Sequence, residues 1–149
     1  MKVYRVSATK YATDITGEGA RLYGGRWNHP LTACIYSSES RALAILEYSV
    51  NVNIKEIPRA LSIVTFSIAA DEVKEILLEN LPGNWAAMPA PNSTKDMGTA
   101  LLKAYSILKI PSVVIPLEHN YIINRLAQAA ALKILDVQDL VYDVRIKQV

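Results

Sequence analysis

Apolar and polar residues alternate in KVYRVS at the start of the chain, and that period of two predicts a short opening strand. Residues 14–32 carry glycines without a periodic apolar pattern and read as a long Gly-rich loop. ACIYSS at 33–38 has strand character, and the serines after it can cap a helix running from about Glu39 to Val52. The β-branched run ALSIVTFSIA at 60–69 predicts a buried strand. DEVKEILLENL at 71–81 repeats apolar residues at helical spacing, with Asp71 as its expected cap. PGNWAAMPAPN at 82–92, with its three prolines, reads as a surface flap. STKDMGTALLKAYSILK opens on a Ser-x-x-Asp capping pattern and continues as an amphipathic helix. PSVVIPL at 111–117 reads as a strand between prolines and HNYIIN as a turn. An Ala-rich helical stretch follows, and LKILDV and VYDVRI read as strands. Interleaved helices and short strands, the latter suited to antiparallel pairing, predict one α+β domain over residues 1–149, with a mixed, largely antiparallel sheet.

Composition narrows this picture modestly. A chain of 149 residues with 51% apolar and 20% charged positions can bury a real core. Its formal charge of +2 is too small for a dedicated nucleic-acid binder but compatible with an anionic small molecule. A single cysteine, Cys34, rules out an internal disulfide and suits a reducing compartment. The amino terminus lacks a signal-peptide core and no apolar run reaches membrane-spanning length, so a soluble cytoplasmic domain is expected.

Several chemistries are excluded by their missing residues. Gly17 and Gly19 begin a G-x-G-x-x-G pattern, but Leu22 occupies its last position. No P-loop is present. His29 and His119, with one cysteine, supply neither a Cys-rich zinc site nor H-E-x-x-H, and no metal is expected. Cys34 lies in an apolar strand, where a packed, unreactive thiol is the simpler reading.

Two places remain. RLYGGRWNHP at 21–30 gathers Arg21, Arg26 and Trp27 around a Gly-Gly pair. A guanidinium can grip phosphate with two parallel hydrogen bonds, and neighbouring glycines let the backbone approach the same group. Arg26 fits this best, while Trp27 reads as an anchor beneath the loop. Arg5 either turns inward beside that loop or makes a salt bridge at the rim. The helix SRALAILEYSV is apolar nearly all round, and Glu47 interrupts it. A carboxylate sunk there needs a cation or strong donors. The loop arginines are candidates; the alternative is a carboxylate kept for a cation that develops only during a reaction.

GARLYGGRWNHP, IYSSESRALAILEYSV and IPSVVIPLEHNYIIN, in that order, resemble the RES domain, the toxin half of a bacterial toxin–antitoxin system. The resemblance runs from VYRVS to VYDVRI. It implies a fold like that of ADP-ribosyltransferases and consumption of NAD as substrate, without a prosthetic group. The family's named residues fall on Arg26, Glu47 and Ser112, its functional tyrosine on Tyr36 and a second positive contact on Arg5. Asn124 is the remaining expected contact to the dinucleotide, although the family's Asn-Pro is Asn124-Arg125 here. A glycine usual after the GGRWN turn is replaced by Leu31.

The implied reaction is cleavage of the nicotinamide–ribose bond of NAD. Glu47 would face the growing ribose cation, Arg26 and Arg5 would hold phosphate or ribose, and Tyr36 would sit at the nicotinamide end. Ser112 would orient the amide or Glu47. Water, phosphate or a protein side chain could accept the ADP-ribose. The alternatives are a mono-ADP-ribosyltransferase acting on a host protein, a silent nucleotide-binding module, and nucleic-acid binding through Arg21, Arg26 and Trp27, which the near-neutral charge argues against. The expected partner is a helix-turn-helix, Xre-like antitoxin that blocks the NAD pocket, in a complex of undefined order, with the flap 82–92 (Trp85 and Met88 exposed or nearly so) as one contact. No membrane partner is expected.

Overall fold

The computed structural model describes residues 1–124 and 132–148. The Ala-rich stretch, with Arg125, lies outside the described residues. Seven strands form a single sheet: β1 (Lys2–Ala8), β2 (Ile35–Ser38), β3 (Leu61–Ser67), β4 (Val73–Glu75), β5 (Ile107–Pro111), β6 (His119–Ile123) and β7 (Lys133–Leu140). Their order is β4-β5-β6-β2-β1-β3-β7, and only the β4–β5 pair is parallel. The α+β, largely antiparallel expectation is met. Among the described residues three α-helices accompany the sheet: α1 (Glu18–Tyr23), α2 (Arg41–Asn51) and α3 (Asn92–Ala104). Among the described residues no helix is long and apolar enough to cross a membrane.

Alternation along the strands fills both faces of the sheet. Val3, Ile35, Val64, Phe66, Ile107, Tyr121 and Ile123 pack on one side. Trp27, Cys34, Leu102, Leu108, Ile110 and Ile122 pack on the other. Trp27 is the buried anchor that its loop required, and α3 lies directly on its backbone. A Cβ at Gly98 would stand 1.9 Å from the Trp27 carbonyl oxygen, so only glycine permits this contact.

Several of these expectations change. Residues 71–81 are not a helix: β4 pairs with β5 there, and Ile76 donates its N–H to the Lys109 carbonyl while its side chain enters the core. The strand expected at 111–117 is instead β5 at Ile107–Pro111, taking residues expected to end the helix, which stops at Ala104. HNYIIN, expected as a turn, is β6 paired between β2 and β5. VYDVRI is not a strand; Asp143 accepts from the Arg145 N–H to start a 3₁₀ turn over Val144–Ile146. The Gly-rich loop contains α1, which six residues make too short to show periodicity. The Ser-x-x-Asp box is not formed either. Ser93 donates to Asn84 and Asp96 meets His29, so these side chains tie α3 to the flap and to the Arg26 loop. Ser40 does cap α2, accepting from the Leu43 N–H at 3.0 Å.

One irregularity of the sheet matters most. β1 and β2 pair at a single register position, Tyr4 opposite Ser38. Successive residues of a strand point to opposite faces. Yet Tyr4, Arg5, Val6 and Ser7 of β1, and Ile35, Tyr36, Ser37 and Ser38 of β2, all line one cleft. A cleft lined by consecutive positions has to enter between the two strands where they part.

Candidate active site

The cleft has a volume of about 540 Å³ and is bounded by β1, β2, α1 and α2, with Asp14, Tyr48, Asn51 and Asn120 in its wall. That size suits a small ligand or part of a dinucleotide. Ser40 starts α2 and Leu43 and Ala44 bury its inner face, whereas Arg41, Ala42 and Val50 are exposed. The helix is therefore amphipathic rather than apolar all round. Glu47 is half-buried on the cleft side.

The carboxylate is not held by the loop arginines through hydrogen bonds. Ser112 donates its hydroxyl to Glu47 Oε1 at 2.6 Å, and Asn120 donates Nδ2 to the same oxygen at 2.7 Å. Ser112 is fully buried, and its Oγ also accepts the N–H groups of Val114 and Ile115 at 3.1 and 3.2 Å. With its lone pairs occupied by two N–H groups, the hydroxyl proton is directed at Glu47. Both donors belong to the β5–β6 hairpin, whose neck is closed by Ser112 N–H donating to the Glu118 carbonyl. Among the described residues, Oε2 accepts no hydrogen bond.

Arg5 lines the cleft. Its Nη2 donates to the carbonyls of Ala12 and Asp14, both at 3.0 Å, and its guanidinium lies 5.1 Å from the Phe66 ring centre. Its Nε is buried and finds no hydrogen-bond partner among the described residues. Burial holds its pKa below the ordinary arginine value, opposed by the charge of Asp14. The sequence left Arg5 between an inward position and a rim salt bridge; it points inward, held by carbonyl groups.

Tyr36 is in the cleft wall, but its hydroxyl is committed elsewhere. It donates to Asn28 Oδ1 at 2.6 Å and accepts the Trp27 N–H at 3.0 Å. Burial holds its pKa well above 10.0, so it stays protonated. Asn28, wholly buried, completes the turn by donating to the carbonyls of Ala20, His29 and Thr32. A Cβ at Gly25 would come within 2.7 Å of the Tyr36 hydroxyl, so the second glycine of GGRWN makes room for this strut.

Arg26 does not line the cleft. Its Nη1 donates to the Trp85 and Ala87 carbonyls at 2.9 and 2.8 Å, and its Nη2 meets Met88 Sδ. It ties down the flap 82–92. Burial lowers its pKa, and the charges of Glu47 and Tyr36 oppose that shift, so it lies within the electrostatic reach of Glu47. Trp85 is half-buried against the core, contrary to its expected exposure, while Met88 is exposed. Asn124 is away from the cleft: it donates Nδ2 to the Leu102 carbonyl at 2.7 Å and its N–H to Ser106, joining β6 to α3.

The structure thus brings Glu47, Ser112, Arg5 and Tyr36 to one cleft or its immediate support, and places Arg26 at the flap and Asn124 beyond. Sequence reasoning missed Asn28, Asn120 and Ser38. A period of two carried across EHNYIIN would have put Asn120 on the face of Ile122, but its turn-like residues masked that pattern.

A split, largely antiparallel sheet with a carboxylate at its cleft defines an α+β protein with a site sized for a small ligand. The chain belongs to the RES domain family, which it matches over residues 2–145. It is 34% identical to Toxin Res of Yersinia enterocolitica over 152 aligned residues, covering 99% of this chain and all of that protein. It is 36% identical over 144 residues to a Sphingobium protein named Prs ADP-ribosylating toxin, covering 92% of this chain and 89% of that protein. In the crystal structure of the Mycobacterium tuberculosis MbcT–MbcA toxin–antitoxin complex, one chain shares the fold, with a TM-score of 0.76 and 18% identity, covering 93% of this chain and 83% of that one.

Proposed function

We propose that this chain is the toxin of a toxin–antitoxin pair and that it cleaves the nicotinamide–ribose bond of NAD. The carrying observation is the environment of Glu47. Three carboxylates line the cleft. Glu18 is paired with Arg21 at 2.7 Å, and the exposed Asp14 accepts the Thr16 N–H and hydroxyl within its own turn, with Arg5 in its field. Glu47, half-buried, is alone of the three in being gripped on one oxygen by two neutral donors remote in sequence, Ser112 and Asn120. A negative charge held in place by dipoles on one oxygen, in a side chain that lines the cleft, is arranged to meet positive charge that grows during a reaction.

In the proposed reaction the C–N bond breaks and its electron pair leaves with the nicotinamide nitrogen, which becomes neutral. The ribose carbon gains positive charge opposite Glu47. Water or phosphate then attacks that carbon and loses a proton. Arg5, the arginine that lines the cleft, is the cation for the phosphates or ribose, holding the dinucleotide in a reactive pose. Tyr36 contributes its ring to the cleft wall, because its hydroxyl supports the GGRWN turn. Arg26 acts through the flap and its long-range field.

The test is nicotinamide release by purified protein, with and without phosphate. Glu47→Gln keeps the size and an acceptor for both donors but loses the charge, and is expected to lower kcat by roughly 100- to 1,000-fold. A folded Glu47→Gln protein with parental release would refute the reading. Transfer of ADP-ribose to a protein is the second reading, favoured by the name of the Sphingobium relative. Label from NAD appearing in protein would select it. NAD that binds but survives overnight incubation would leave only a binding module. The proposed partner is a helix-turn-helix antitoxin that covers the cleft, in line with the toxin–antitoxin complex that shares this fold.

A further inference from the structure

The Glu47 carboxylate could have rotated freely about its last bond, and its two oxygens would then be equivalent. They are not. Asn120 is the half of the grip that faces the cleft, since it lines the cavity and Ser112 does not. Its own orientation is fixed in turn. Ser38 is buried and donates its hydroxyl to Asn120 Oδ1 at 2.7 Å. A flipped amide would set Oδ1 against Glu47 Oε1, bringing two acceptors into contact with no proton between them. Ser38 and Asn120 are also cross-strand partners in the β2–β6 ladder, so both side chains rise from a rigid base.

We propose that Asn120, locked by Ser38, is a positioning residue for the carboxylate. It chooses which oxygen of Glu47 is pinned and which is presented to the ribose. This rests on the proposed NAD cleavage. It extends that reading by assigning the orientation of Glu47 to a chain running from Ser38 through Asn120 to the carboxylate. Ser112 alone would leave the carboxylate able to swing about one bond; the second donor, from a different strand position, removes that freedom.

The experiment compares kcat and KM for nicotinamide release across pH in the unmodified protein, Asn120→Ala, Asn120→Asp and Ser38→Ala. Misplacing a reacting group by about 1 Å costs on the order of 100-fold. Asn120→Ala is therefore expected to lower kcat by roughly 10- to 100-fold, with KM changed less than about threefold. Ser38→Ala is expected to lose less, roughly threefold to tenfold, because the charge of Glu47 still opposes the flipped amide. Asn120→Asp is the deciding variant. Ionised, it repels Glu47; protonated, it restores a donor at the same place. Its kcat is expected to climb toward the parental value as pH falls.

Glu39 and His119 are ionisable side chains next to this position: Glu39 accepts the His119 N–H at 3.0 Å, and the His119 ring lies 3.9 Å from it. Asn120→Ala retains both, so an acid-side recovery that appears in Asn120→Asp and not in Asn120→Ala belongs to position 120. Parental kcat in Asn120→Ala, or identical pH profiles for the two variants, would overturn the proposal. Should the unmodified protein release no nicotinamide, the cleavage reading falls. A crystal structure of Asn120→Ala then decides the positioning claim: a Glu47 carboxylate that has rotated or become disordered upholds it, and an unmoved one overturns it.

Discussion

Ser112→Ala deletes one oxygen from a fully buried position, and the structure says what is lost with it. The hydroxyl donates to a charged carboxylate at 2.6 Å, and a hydrogen bond to a charged group contributes about 1.5–3 kcal/mol. The same oxygen accepts the Val114 and Ile115 N–H groups at 3.1 and 3.2 Å. Those groups are only partly buried, so water replaces some of what they lose, and about 1 kcal/mol covers both. The expected destabilisation is about 2–4 kcal/mol, a fall in Tm of roughly 5–15 °C for a domain of this size. Reversible urea unfolding measures it. A cycle with Glu47→Ala separates the parts: a coupling of about 1.5–3 kcal/mol belongs to the Ser112–Glu47 bond and the remainder to the turn. A loss below about 0.5 kcal/mol, or additivity within that margin, would mean that Ser112 does not hold the carboxylate in solution.

Other consequences are as direct. Leu31 adopts φ +80° with 81% of its side chain exposed, so Leu31→Gly relieves backbone strain without losing packing. It should stabilise by about 1 kcal/mol, and lower stability in urea unfolding would contradict this. Burial moves the Cys34 thiol from 9.0 to about 12. The unfolded chain then releases its proton first as pH rises past 9.0, so stability falls from there by about 1.4 kcal/mol per pH unit, a slope that Cys34→Ala should lack between pH 9 and 10. The buried Tyr36 adds a fall in the same direction only above its ordinary value of 10.0. Arg26→Ala frees the flap from its carbonyl contacts, and the Trp85 and Ala87 amides should exchange roughly tenfold faster while those of β5 are unchanged. Equal protection in both proteins would show that the latch contributes nothing.

What could be read in the sequence depended on how local the cause was. β1, β3 and α2 carry their own periodicity or cap, and their places came within a few residues. β4 has three residues and exists because β5 pairs with it, a partner 34 positions away at the first register pair, Val73 opposite Ile107; no window along the chain contains that information. β6 was hidden because His, Asn and Tyr at its start resemble turn residues, while their burial is set by two neighbouring strands. Glu47 was legible as an anomaly in an apolar helix, and its match to the family's block named it. Of its partners, Ser112 came from the family resemblance, and Asn120 was not legible, since a neutral amide leaves no charge pattern behind. Arg26 was legible as a special arginine, but the flap carbonyls that occupy it could not be foreseen, because backbone acceptors have no sequence signature. Leu31 shows the reverse case. A departure from the family's glycine marked, in sequence alone, the non-glycine residue that the fold holds at positive φ among those described.

The neutral grip bears on mechanism in a way that an arginine partner would not. An ion pair would already have satisfied the charge of Glu47, and a developing ribose cation would have to compete with a permanent guanidinium for it. Two dipoles on Oε1 orient the carboxylate but leave its net charge in place. Arg26 is then best kept at a distance, within the field of Glu47 yet bonded to the flap, and the structure has it there. In the proposed reaction Arg5 carries the complementary role from β1, across the parting of the strands, where the charge of Asp14 favours its protonated form. On the proposed reading this division accounts for why the cleft opens between β1 and β2: one strand supplies the cation for the anionic part of the dinucleotide. The other pairs with β6, whose Asn120 aims the carboxylate. Moving a guanidinium into bonding distance of Glu47 should therefore strengthen the fold locally and weaken the reaction, the opposite of what a purely structural carboxylate would show.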